Sequence, residues 1–88
     1  MYKYSWTVRT YNILCRYSVA VSTPAEAEAA AATVLAGKYR NAGKRTAVEL
    51  LRAAGWGVYN IHAAVNGLSI DAVRDACERF DTMLHVAW

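Results

Sequence analysis

The chain has 88 residues, 56% of them hydrophobic, and a formal net charge of +3, which fits a single domain with one core and a surface that claims much of the sequence. No apolar run approaches the ~20 residues of a membrane span, and the opening MYKYSWTVRT lacks the apolar stretch of a signal peptide, so the reading is of a soluble cytoplasmic protein with no membrane partner. Cys15 and Cys77, far apart and each among apolar positions, read as buried reduced thiols and not as a disulfide framework.

In residues 2–9 the even positions Tyr2, Tyr4, Trp6 and Val8 are apolar, and in 13–22 the odd positions Ile13, Cys15, Tyr17, Val19 and Val21 are. Period two in both runs predicts a β-hairpin turning at Tyr11 and Asn12, or through a four-residue loop with the same centre. The pairing places the aromatic set on one face as core and leaves Lys3, Arg9 and Arg16 on the other. Aromatic rings on the core side disfavour base stacking on an exposed sheet.

Residues 23–37, TPAEAEAAAATVLAG, carry the complete signature of a helix. Thr23 is the N-cap, Pro24 supplies a pre-set φ at N1, and Glu26 stands at N3 to close a capping box. Alanine fills the body, and Gly37 stands where a left-handed residue ends a helix. A helix surfaced with methyl groups can lie close to a sheet, so this one is expected to cover the hairpin.

The connection that follows, KYRNAGKR, holds Lys38, Arg40, Lys44 and Arg45 within eight residues and no acid. It reads as a solvated link between helices, or as a phosphate-contacting patch in which Tyr39 interleaves with the cations. A nucleotide-binding loop is excluded. Five residues separate Gly37 from Gly43 where four are needed, Arg45 stands at the hydroxyl position, and the segment follows a helix instead of a strand.

Thr46 and Glu49 repeat the capping grammar for a short helix over 46–54 that docks through Leu50 and Leu51 and stops at Gly55. Residues 56–73 admit two architectures. In one, Tyr59, Ile61, Ala63 and Val65 alternate along a strand that turns at Asn66 and Gly67. In the other, Ala63, Gly67, Leu68 and Val73 have a spacing that resembles the helix-turn-helix family, with a reading helix IDAVRDACERF. His62 and Asn66 stand at positions where that family is apolar, and Asp71, Asp75 and Glu78 would face phosphate, so the strand is preferred. A helix over 71–82 follows, with Val73, Ala76, Cys77, Phe80 and Leu84 at helical spacing, Ser69 or Asp71 as cap, and Arg74 with Glu78 and Asp75 with Arg79 as i,i+4 partners. The tail that ends in Trp88 adds an edge strand or presents that ring to a partner.

The elements together predict an α+β fold, a mainly antiparallel sheet led by the 2–22 hairpin and packed against about three helices near 24–36, 46–54 and 71–82. No convergent nucleophile, base and orienting group is evident. His62 and His85 have no flanking ligands at metal spacing, and the acids lie beside arginines on helix surfaces. The expectation is therefore a non-enzymatic chain without cofactor or metal.

The run YKYSWTVRTYNILCRYSVAV leading directly into STPAEAEAAAATVLAG resembles the small accessory proteins of phages and mobile elements, anti-CRISPR inhibitors among them. The resemblance implies stoichiometric binding to a larger protein or nucleoprotein complex, in the host-cell cytoplasm, and carries no residue roles because that group shares no fold. The basic balance departs from acidic mimics of DNA. A protein-binding module is thus the first functional expectation. The alternative is nucleic-acid binding through the basic loop or the 58–80 helix-turn-helix. The contact residues expected for either partner are Lys38, Tyr39, Arg40, Lys44 and Arg45, with Lys3, Arg9 and Arg16.

Overall fold

The computed structural model describes residues 6–85. Among them are five helices and no strand: α1 (Val8–Arg16), α2 (Pro24–Leu35), α3 (Lys44–Ala53), α4 (Val58–Asn66) and α5 (Ile70–Arg79). The fold is all-α, and the expected antiparallel sheet with its N-terminal hairpin is wrong. What remains of β pairing among these residues is an isolated antiparallel bridge between Trp56 and His85.

Val8–Arg16, within the segment expected to form the hairpin, is helical because its buried positions do not alternate. Alternation over 13–21 consigned Leu14 to the polar face, whereas Thr10, Ile13 and Leu14 are buried together and Tyr17 is half-buried beside them. Positions 10, 13, 14 and 17 form the i, i+3, i+4, i+7 stripe of a helix. Its buried member Thr10 is polar, which hid the stripe from a hydrophobicity count. Thr7 caps α1 by accepting from the Thr10 amide, and Arg16 occupies the last turn, where the dipole favours a cation.

The same arithmetic decides 58–66. Ile61, Ala64 and Val65 are buried while Tyr59 and Leu68 are exposed, a helical stripe that a strand could not produce. Gly67 ends α4, and after a turn of three residues the Ser69 hydroxyl accepts from the Ala72 amide at 3.0 Å to start α5. The preferred strand is overturned, and the alternative backbone of two helices about a glycine turn is the one adopted. Phe80, expected inside, is 70% exposed at the end of α5.

Helix α2 follows its signature closely. The Glu26 amide donates to Thr23 Oγ1 at 3.2 Å, and the Glu26 carboxylate accepts from the Ser22 amide at 2.9 Å. At the other end Lys38 N–H reaches the Thr33 carbonyl and Gly37 N–H the Val34 carbonyl, with Gly37 at φ +76°. That pair of bonds is a Schellman ending. It recurs after α1, α3 and α5, with Ser18, Gly55 and Asp81 as the left-handed residue.

Helix α2 packs on α3, the most extensive helix pair among the described residues. Ala27, Ala30, Ala31 and Val34 form its buried stripe against Ala47, Leu50 and Leu51. Methyl groups at these positions let the two backbones approach, so the alanine helix covers α3 and not a sheet. Trp56, in the α3–α4 connection, is fully buried within the same cluster. No helix among the described residues is long and apolar enough to cross a membrane.

Helix α3 starts at Lys44, two residues before the expected cap, with Gly43 as N-cap and no side-chain bond to its first amides. Thr46 is buried within its first turn. Glu49 crosses instead to α1, where its carboxylate accepts from the Thr7 amide at 3.0 Å, the Thr7 hydroxyl at 2.8 Å and the Thr10 hydroxyl. A carboxylate from α3 thereby caps α1, at the end where the dipole favours negative charge.

Candidate nucleic-acid interface

The candidate site is built on the connection between α2 and α3. Its conformation is fixed by Gly37 at φ +76° and Asn41 at φ +65°, left-handed positions that glycine and asparagine adopt at low cost. Tyr39 sits between them and stacks on Tyr17 from the end of α1, with ring centroids 4.7 Å apart and planes inclined by 29°. The Tyr17 hydroxyl also accepts from the Arg40 amide at 2.9 Å. At the start of α1, Arg9 donates to the Asn41 carbonyl at 3.4 Å. The two ends of α1 thus hold the connection from the side.

These contacts link Arg9 to the segment that carries Lys38, Tyr39 and Arg40, four of the eight residues expected to contact a partner, and Lys44 and Arg45 follow in the first turn of α3. Arg16, seven positions after Arg9, lies on the same side of α1. All six cations are exposed. Lys44 reaches across to Asn66 Oδ1 at 3.4 Å at the end of α4. Lys3 lies outside the described residues, as does Trp88.

The acids close in sequence to these cations have hydrogen-bond or ion-pair partners of their own. Glu26 is held by the start of α2 and Glu49 by the start of α1. Glu28 accepts from the indole of Trp56 and is ion-paired with Arg74 on α5. None of the six cations is ion-paired with a described residue. The carboxylates of Glu26 and Glu49, bonded to neutral groups, keep their charge, so six exposed cations against these two acids leave a net positive balance, felt over about 8–10 Å at physiological salt.

The opposite charge gathers on α5 and just after it, where Asp71, Asp75, Glu78 and Asp81 are all exposed. Arg79 pairs with Asp75 at 3.4 Å on this surface, whereas Arg74, expected to pair with Glu78, is drawn inward to Glu28. As a helix laid on a phosphate backbone, α5 would meet repulsion.

His62 and His85 are exposed, and among the described residues no group of three His, Cys, Asp or Glu side chains is placed to hold a metal ion. Cys77 is buried as expected, but Cys15 is exposed on α1. One turn away from it, the Tyr11 phenol is pushed above its ordinary pKa by its hydrogen bond with the Cys15 thiol. Sequence reasoning missed Tyr17, because a hairpin placed its ring in the core. The helical stripe at 10, 13, 14 and 17 was the signal that would have moved it to the loop. No protein-family model matches the chain, and no curated protein or solved structure matches it either.

Proposed function

We propose that the protein is a non-enzymatic nucleic-acid-binding module, and that its contact surface is the α2–α3 connection with the flanking side of α1. The observation that supports this reading is the run of exposed cations along the α2–α3 connection into the first turn of α3, joined by Arg9 of α1 and by the Tyr17–Tyr39 stack, with none of these cations ion-paired to a described residue. Cations with no acid partner gain from releasing condensed counterions when they meet phosphate, and that gain is independent of sequence. Helix α3 adds to it. Its first turn holds Lys44 and Arg45 without an acid or a side-chain cap, an arrangement that disfavours the helix and favours an anion.

An electrophoretic mobility assay at about 50 mM salt tests the reading. The wild-type chain retards oligonucleotides, and the variant carrying Lys38→Gln and Arg40→Gln does so much less at every sequence tried. Absence of any wild-type complex, or an equally tight one from the variant, contradicts it.

A second reading is supported by a different surface. An apolar cleft of about 430 Å³ lies between the end of α2 and the α4–α5 turn, lined by Leu35, Val65, Leu68 and Ile70, and Leu68 is 54% exposed at its edge. This is the feature a protein-binding module of the accessory or inhibitor kind would use. Capture of a protein partner that survives nuclease treatment and is lost with Leu68→Asp would favour it over the first.

A further inference from the structure

Beside the Tyr17–Tyr39 stack is a cleft of about 280 Å³ lined by both rings, by Val19 and Ala20 after α1, and by Glu26, Ala30 and Thr33 of α2. Resting on the nucleic-acid reading above, we propose that this cleft takes one unpaired base of a single-stranded nucleic acid. The base would extend the tyrosine stack while the adjoining phosphates meet Arg16, Lys38 and Arg40.

Three features converge on a base and not on another ligand. The cleft volume lies near the lower end of small-ligand sites, about 300 Å³, room for one heterocycle. Tyr17 and Tyr39 both line it, and cations adjoin each in sequence, Arg16 before Tyr17 and Lys38 and Arg40 on either side of Tyr39. That combination, a π-face with charge on either side, is what backbone-tracking single-strand sites use. The polar wall belongs to Glu26, whose carboxylate accepts from the amide of Ser22 and has lone pairs to spare for a base amino group.

The geometry also selects the strand form. Bases in a duplex are stacked on their neighbours and cannot enter a lateral cleft without leaving the helix. A single strand presents its bases with no such cost. The site is held in place beforehand, since the Arg40 amide is bonded to the Tyr17 hydroxyl and Arg9 is bonded to the Asn41 carbonyl, so little ordering is required on binding. Glu26 adds a preference, because cytosine, adenine and guanine carry an amino group for it to accept from and uracil and thymine do not.

The test is fluorescence anisotropy of the full chain with a labelled single strand of about 16 nucleotides and with the duplex of the same sequence. The proposal predicts tighter binding of the single strand, with cytosine and adenine homopolymers favoured over uracil or thymine. Tyr39→Leu, confirmed as folded by circular dichroism, loses roughly 5- to 100-fold in affinity, and Tyr39→Trp retains it. Should Tyr39→Leu fail to fold, 2-aminopurine placed in the strand gives the same answer with the wild-type chain, since stacking quenches its emission. Equal or tighter duplex binding, an unaffected Tyr39→Leu, or an unquenched 2-aminopurine overturns the base cleft and leaves the nucleic-acid reading standing. No binding of either strand form overturns both.

Discussion

The indole N–H of Trp56 donates to the carboxylate of Glu28 at 2.9 Å, and the same carboxylate receives Arg74 from α5. A single acid on α2 thus satisfies the one polar atom of the most deeply buried ring and ties the last helix to the second. Glu28→Ala leaves a buried indole N–H unpaired, which costs about 1 to 3 kcal/mol, and it lowers the melting temperature by roughly 10 °C in a domain of this size. Glu28→Gln keeps an acceptor and loses less than half as much, because Arg74 is half-exposed and its pairing is screened. Thermal denaturation of the two variants measures the difference.

Ser18 closes α1 at φ +52°, where its Cβ is crowded and glycine is not. Ser18→Gly is predicted to stabilise the fold by about 0.5 to 1 kcal/mol. Asp81→Gly, at the matching position after α5, gains less because aspartate tolerates that conformation better. Urea titration of both variants checks the order.

Glu49 links stability to the candidate site. Its carboxylate holds Thr7 and Thr10 at the start of α1, and α1 carries Arg9, Arg16 and Tyr17. Glu49→Ala removes three acceptor contacts and leaves the buried Thr10 hydroxyl unsatisfied, at a cost of about 1 to 3 kcal/mol. It should raise the rate of proteolytic cleavage within α1 before the rest of the chain is cut, and weaken oligonucleotide binding in parallel.

Lys44 and Arg45 stand in the first turn of α3, where each positive charge is unfavourable by about 0.3 to 1 kcal/mol. The double variant Lys44→Gln, Arg45→Gln therefore melts at the same temperature or slightly higher, and binds nucleic acid less tightly. A clear fall in melting temperature with unaltered binding would make these cations structural and remove them from the site.

Which parts of this were legible in the sequence follows from where each signal was local. The ends of α2 were readable because Thr23, Glu26 and Gly37 act on backbone groups within a few residues. The cap of α5 at Ser69 was readable for the same reason. Residues 8–16 and 58–66 were not, because Thr10 is a polar residue buried by a carboxylate 39 positions away, and Ala64 is too small to stand out in a pattern. Short runs that satisfy both a two-residue and a 3.6-residue period are decided by tertiary packing. The basic loop was visible as composition, whereas its pairing with Arg9 and Tyr17 needed α1 to be a helix. Glu28 gave no sequence signal, and Glu49 gave a local one, the N3 partner of a Thr46 cap, that its distant partners Thr7 and Thr10 override.

The measurement that bears most directly on the proposed function is the salt dependence of single-strand binding by the wild-type chain. If the six exposed cations contribute about five phosphate contacts, the logarithm of the association constant falls with the logarithm of salt concentration at a slope of roughly −3 to −4. Arg9→Gln with Arg16→Gln should reduce that slope by about one to two. Measurable affinity with a slope near zero, or no affinity at low salt, would contradict the account.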